Sequence, residues 1–231
     1  MKTAIMQPYF FPYIGYFQLI NAADKFIVYD NIQYTKKGWI NRNRYLQNGK
    51  DEIFSISLKK ETGYKNVIDR MISPLFNKKK LIAKFQNAYS KAPYKKEVLP
   101  FLEDIIYFED INLFNYIYNS ILKTCDYLDI KTEIIISSSI NIDHSLKSKS
   151  KVTALIKALK ADIYINPIGG IKLYDKEEFK NNNIELYFLK TNETPYNQNM
   201  ESFVPLLSII DVLMYNSKHE VKKMLDNYTL I

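Results

Sequence analysis

Apolar and polar positions alternate along this chain with two different periods. Thr3–Gln7 and Lys25–Asp30 are short, nearly continuous apolar runs, as in strands buried on both faces of a parallel sheet. Between them, Gly15–Ala23 follows a proline-bracketed turn and shows helical spacing. Ile53–Leu58 alternates like a strand after the irregular, polar-aromatic stretch Gln33–Arg44, and Asn66–Ile72 is a weaker segment. The middle then changes period. Lys78–Ser90, Tyr94–Ile106 and Asn112–Leu128 each carry helical apolar spacing and form a mainly helical insert around residues 77–129. Beyond it come a strand at Glu133–Ile136, a helix at Ser150–Leu159 and a strand at Asp162–Ile165. A turn at Asn166-Pro167-Ile168-Gly169-Gly170, a short helix near Asp175–Asn181 and a strand at Ile184–Phe188 follow. Phe203–Tyr215 and Lys218–Asn227 close the chain as helices. This order predicts an α/β fold: a Rossmann-like parallel sheet with helices on both faces and a helical insert in the middle, all in one domain over residues 1–231.

Composition narrows the chemistry. The 32 basic residues sit among 25 acidic ones and leave a net charge of +7, which suits a phosphorylated or otherwise anionic small molecule and does not call for nucleic acid. Cys125 is the single cysteine, so no disulfide forms within the chain, and its place in an amphipathic helix reads as core. With His144 and His219 the only histidines, no metal site is expected. No window approaches 18 uncharged apolar residues and no cleavable signal is evident, so the expectation is a cytoplasmic protein without a transmembrane segment.

Two segments concentrate side chains able to recognise a ligand. Gln33, Tyr34, Lys36, Lys37, Trp39, Asn41, Arg42 and Asn43 follow the second strand. Arg42 offers a planar fork for phosphate or carboxylate, and the two lysines offer point charges. Asn41, Asn43 and Gln33 can read hydroxyls, and Trp39 and Tyr34 can stack on a sugar or base. The second segment, Gln7 to Tyr16, contains Tyr9, Tyr13 and Tyr16 and leads into a helix whose N-terminal amides favour an anion. Its layout is similar to nucleotidyltransferase-type Rossmann-like folds with a His-x-Gly-His turn, but Tyr13-Ile14-Gly15-Tyr16 has tyrosines where those folds have histidines. That similarity therefore bears on fold and not on adenylyl transfer.

Carboxylates and hydroxyls add the remaining candidates. Asp30 ends the second strand beside the Gln33–Asn43 loop and is placed to act as a base or to orient a substrate amine. Asp175 follows Gly169-Gly170, and Ser138 lies in the serine run at the end of the Glu133–Ile136 strand. Lys147, Lys149 and Lys151 read as a solvated charge run, and His144 as a surface residue. Asp211, inside an apolar helical run, needs a partner; Arg42 is the basic group considered for it.

Taken together, the chain resembles the WbqC-like family, bacterial proteins encoded largely in O-antigen and other surface-polysaccharide clusters. The resemblance rests on Gln7–Tyr16, Ala23-Asp24, Tyr29-Asp30, Gln33-Tyr34 and Trp39-Ile40-Asn41-Arg42-Asn43. It continues through Ala92-Pro93-Tyr94, Ser137–Ser139, Leu173-Tyr174-Asp175, Pro195-Tyr196 with Gln198, Phe203 with Pro205, and Leu207–Asp211. It implies a role in O-antigen or lipopolysaccharide biosynthesis. The expectation is a transferase that moves an acyl or aminoacyl group, from an acyl donor, to a nucleotide-linked amino sugar. Asp30 and Arg42 are the expected catalytic pair. The alternatives are a non-catalytic protein that binds a sugar nucleotide or glycan, and a glycosyltransferase, although the chain lacks a convincing Asp-x-Asp metal motif.

Overall fold

In the computed structural model, which describes residues 1–231, the first apolar run forms β1 (Lys2–Met6). It is followed by α1 (Ile14–Asn21) and β2 (Lys25–Val28). A hairpin of β3 (Arg42–Gln47) and β4 (Lys50–Ser55) comes next. The insert supplies α2 (Lys78–Ala88), α3 (Lys95–Ile106) and α4 (Leu113–Tyr127). Then come β5 (Glu133–Ile136), α5 (Ser148–Ala158), β6 (Ile163–Pro167), α6 (Lys176–Lys180) and β7 (Glu185–Thr191). The chain closes with α7 (Ile209–Tyr215), α8 (Lys218–Leu225) and β8 (Tyr228–Leu230).

The main sheet has the order β5-β2-β1-β6-β7-β8, parallel except for β8, and the chain order reverses between β1 and β6. The period of two along each strand separates two cores. Ala4, Phe26, Val28, Ile165 and Leu189 face one cluster with α1, α7, α8 and the insert. Ile5, Ile27, Tyr164, Leu186 and Phe188 face a smaller cluster with α5 and α6. Both faces are therefore covered, which explains the continuous apolar runs. Cys125 is buried in the larger core, and burial pushes its thiol up to about 12. No helix is long and apolar enough to cross a membrane.

Three elements differ from the periodic reading. β3 begins inside the stretch read as irregular and pairs with β4 through the two-residue turn Asn48-Gly49, both residues having positive φ. The helix expected from Phe203 starts only at Ile209. Pro205 has no amide to donate, Leu206 sits at φ +57°, and Ser208 supplies the cap through its Oγ. The last helix stops at Leu225, and the final residues add β8 antiparallel to β7.

The turn between β1 and α1 is held by side chains from distant parts of the chain. Phe11 is buried at φ +43°, a conformation unfavourable for a bulky residue. Its carbonyl accepts from Asn43 Nδ2 at 2.9 Å and from Ser208 Oγ at 2.7 Å. Backbone bonds run alongside: the Phe10 amide to the Ile40 carbonyl at 2.9 Å, the Ser208 amide to Arg44 at 2.8 Å and the Ile209 amide to Pro12 at 2.8 Å.

Two predictions follow from this architecture. Asn43→Ala should lower unfolding free energy by about 1–3 kcal/mol in urea titrations, because it strips a donor from a buried carbonyl. The second concerns alkaline pH. Burial raises the phenols of Tyr29 and Tyr45 to about 12, and those of Tyr16, Tyr89 and Tyr164 well above their ordinary value. These phenols keep their protons in the folded chain at pH values where the unfolded chain releases them. Their contribution is thus complete below about pH 10 and falls away as pH rises toward 12 and beyond, and the urea midpoint should drop steeply over that range.

Candidate functional site

In open α/β sheets, ligands bind beyond the carboxyl ends of the strands, near the point where strand order reverses. Strand register brings Asp30 to that rim. Val28 of β2 pairs with Ile136 of β5, so Asp30 and the first serines after β5 leave the sheet side by side. Asp30 is fully buried. Its Oδ1 accepts from Ser137 Oγ at 2.6 Å and from the Ser138 amide at 2.9 Å, while Oδ2 has no donor within the protein. Ser138 thus contributes its backbone, and the hydroxyl contact comes from its neighbour Ser137.

A polar network continues from there. Asn31 Oδ1 lies 3.0 Å from Ser137 Oγ and accepts from Lys151 Nζ at 3.1 Å. Asn31 Nδ2 lies 3.0 Å from His144 Nδ1, and His144 Nε2 lies 3.0 Å from the Ile140 carbonyl. A carbonyl only accepts, so Nε2 carries the proton and Nδ1 accepts from Asn31. Lys151 is 4% exposed, contrary to its reading as part of a solvated run. The signal for its burial is periodic: Lys151, Val152, Leu155 and Ile156 form the inward face of α5. Its ammonium stands 5.2 Å from the centre of the Tyr29 ring, and burial lowers its pKa, partly offset by the charge of Asp30. His144, read as a surface residue, is half-buried in this network.

Beyond β1, β6 runs through Asn166 and Pro167, read from the sequence as turn, and ends in a short turn at Ile168–Gly170. Tyr164 donates to Asn166 Oδ1 at 3.2 Å, and a Cβ on Gly170 would lie 1.8 Å from Asn166 Nδ2, so only glycine allows that approach. Asp175 caps α6: its Oδ1 accepts from the amides of Glu177 at 2.8 Å and Glu178 at 3.1 Å.

The other sequence candidates form two further groups. Around the first turn, Tyr16 is buried and donates to the Gln7 carbonyl at 3.0 Å, and Tyr9 lies 3.5 Å from Gln7 Oε1. Tyr13 precedes α1, and burial raises its phenol above the ordinary value. In the loop, Tyr34 donates to Asn41 Oδ1 at 2.9 Å, Asn41 donates to the Ile56 carbonyl at 2.8 Å, and Asn43 holds the Phe11 turn. Arg42 Nε donates to the Gly38 carbonyl at 2.9 Å. Trp39, 40% exposed, has the guanidinium carbons of Arg42 and Arg44 at 5.4 and 5.9 Å from its ring centre. Lys36, Lys37 and Gln33 are exposed, and Gln33 forms a backbone bridge with Asn66. Arg70, absent from the sequence candidates, stands 4.9 Å from the Tyr34 ring and pairs with Glu61 at 3.0 Å.

The pairing considered between Asp211 and Arg42 does not form. Asp211 is fully buried, and its Oδ2 accepts from Tyr196 at 2.6 Å and Gln198 at 2.8 Å. Neutral donors bond one of its two oxygens in place of a cation, and burial raises its pKa against those bonds.

The model of the WbqC-like protein family matches residues 7–223, which takes in the first turn, the basic loop, the Asp30 network and the Asp211 segment. The chain belongs to that family. A similar protein is the "Uncharacterized protein Rv1507c" of Mycobacterium tuberculosis (strain ATCC 25618 / H37Rv), 26% identical over 215 residues and covering 92% of each chain. No solved structure gives a significant match. No group of three or more His, Cys, Asp or Glu side chains in this WbqC-like chain is arranged to hold a metal ion.

The Asp30 network yields a paired prediction. Ser137→Ala removes a hydrogen bond to a buried carboxylate and should cost about 1.5–3 kcal/mol in equilibrium unfolding. Ser138→Ala, whose side chain is exposed and whose amide remains, should stay within about 0.5 kcal/mol of the parent.

Proposed function

We propose that this protein is an enzyme of surface-polysaccharide assembly, transferring an acyl or aminoacyl group to the amine of a nucleotide-linked amino sugar. The observation that carries the reading is Asp30: a buried carboxylate at the rim of the sheet, with one oxygen fixed by Ser137 and Ser138 and the other without a protein donor. Such an oxygen suits the N–H of an attacking amine. In the proposed step the amine nitrogen bonds to the acyl carbonyl carbon and the bond from that carbon to its leaving group breaks. The proton lost from nitrogen passes to Asp30. Arg42, Lys36 and Lys37 supply positive charge for the diphosphate, and Trp39 offers an exposed ring for the sugar or base. The family resemblance to surface-polysaccharide cluster proteins supports the acceptor class.

The test combines thermal shift with mass-spectrometric detection of the new amide. A nucleotide-linked amino sugar at about 100 times its dissociation constant should stabilise the fold by about 2.7 kcal/mol. Asp30→Asn should keep that shift and lose about 100-fold or more in turnover, and Arg42→Ala should weaken the shift. Full activity in both variants overturns the proposal. A shift without turnover under any acyl donor redirects it to a binding protein.

A further inference from the structure

A second concavity lies beyond the carboxyl end of β7, between α1 and the segment that runs from Thr191 to Leu207. It encloses about 300 Å³, the lower end of the range for small-molecule pockets. Ile14, Phe203, Leu207 and Met224 give it an apolar wall, and Asn192 and Glu193 belong to its polar side. Among its fourteen lining residues there is no Lys, Arg or His, in a chain with 32 basic residues. The only carboxylate in the lining is Glu193.

Gln18 gives the cleft its chemistry. It is 1% exposed, and its Nε2 donates to the carbonyls of Met224 at 2.7 Å and Asn227 at 3.1 Å. Both partners are acceptors, so the orientation of the amide is fixed and Oε1 is left as a buried acceptor with no donor. Tyr196, also in the lining, gives its own proton to Asp211 behind the wall. Asp211 Oδ1 is likewise without a donor. The cleft thus offers a buried acceptor and one carboxylate with no basic side chain, beside the hydroxyls of Tyr13, Thr191 and Thr194 in its lining.

We propose that this cleft binds a small primary amine. Its ring or branched chain lies against Ile14, Phe203 and Met224, its nitrogen donates to Gln18 Oε1, and the carboxylate of Glu193 favours the ammonium form. The assignment rests on the cleft alone and is independent of the transfer reaction proposed above.

Methionine-methyl NMR tests it directly, because Met224 is the one methionine among six that lines the cleft. Titration of the full chain with 2-phenylethylamine should shift the Met224 methyl resonance saturably and leave the other methionines in place. The anionic analogue 3-phenylpropionate should bind at least about tenfold more weakly, a difference of about 1.4 kcal/mol. Gln18→Met should weaken the amine, and Glu193→Gln, an exposed change that spares the Gln18 anchors, should narrow the gap between amine and anion. An unmoved Met224 resonance at about 10 mM amine, or an anion that binds as well as the amine, overturns the proposal.

Discussion

The rim of the sheet is organised around the carbonyl oxygen of Phe11. A buried phenylalanine at φ +43° is held against its own preference, a strain of order 1–3 kcal/mol. Asn43 from the hairpin and Ser208 from the cap of α7 both donate to that oxygen. The same two side chains belong to segments whose backbones pair with the turn at Phe10 and Pro12. The turn therefore fixes where α1 begins, where the hairpin docks and where α7 starts. The Asp30 network follows β2, and the cleft lined by Ile14 and Gln18 borders α1.

Both places keep charge or unmet acceptors out of water. Lys151 and Asp30 are buried without direct contact, and Asn31 and Ser137 bridge them. Asp211 is buried among neutral donors only. Such groups destabilise a fold unless they are hydrogen-bonded, and Asp30 and Asp211 each keep one oxygen without a donor. A chain folding for stability alone would place apolar residues at these positions. Asp30 stands just past the carboxyl end of β2, whereas Lys151 and Asp211 are carried by α5 and α7.

The layers of the fold were legible because a strand covered on both faces and an amphipathic helix leave different periods. Glu133–Ile136 was placed to the residue, and the three insert helices to within two residues at each end. The hairpin was written in the sequence as Asn48-Gly49, but its strands alternate weakly and β4 is mostly exposed, so the period masked it. β8 left no periodic signal because it has three residues and pairs along one edge only. In the candidate site, residue type points to Asp30 and to the basic loop. It did not reveal that Asn43 and Tyr16 bond to backbone carbonyls, or that Lys151 is buried and Lys149 is not, because those outcomes depend on partners distant in the chain. Lys151 was recoverable from its phase with Val152, Leu155 and Ile156.

The parallel pairing of β2 with β5 joins Lys25 to Glu133 across the entire hairpin and helical insert. The clamp at Phe11 reaches to Ser208, and the last residue, Ile231, exchanges backbone bonds with Phe188 at the sheet edge. Closing such long loops has to precede the contacts that reward it, which slows folding. The early strands therefore emerge during synthesis with apolar faces that only later segments can cover. The hydrogen bonding of the first turn is complete only once the Ser208 segment packs against it.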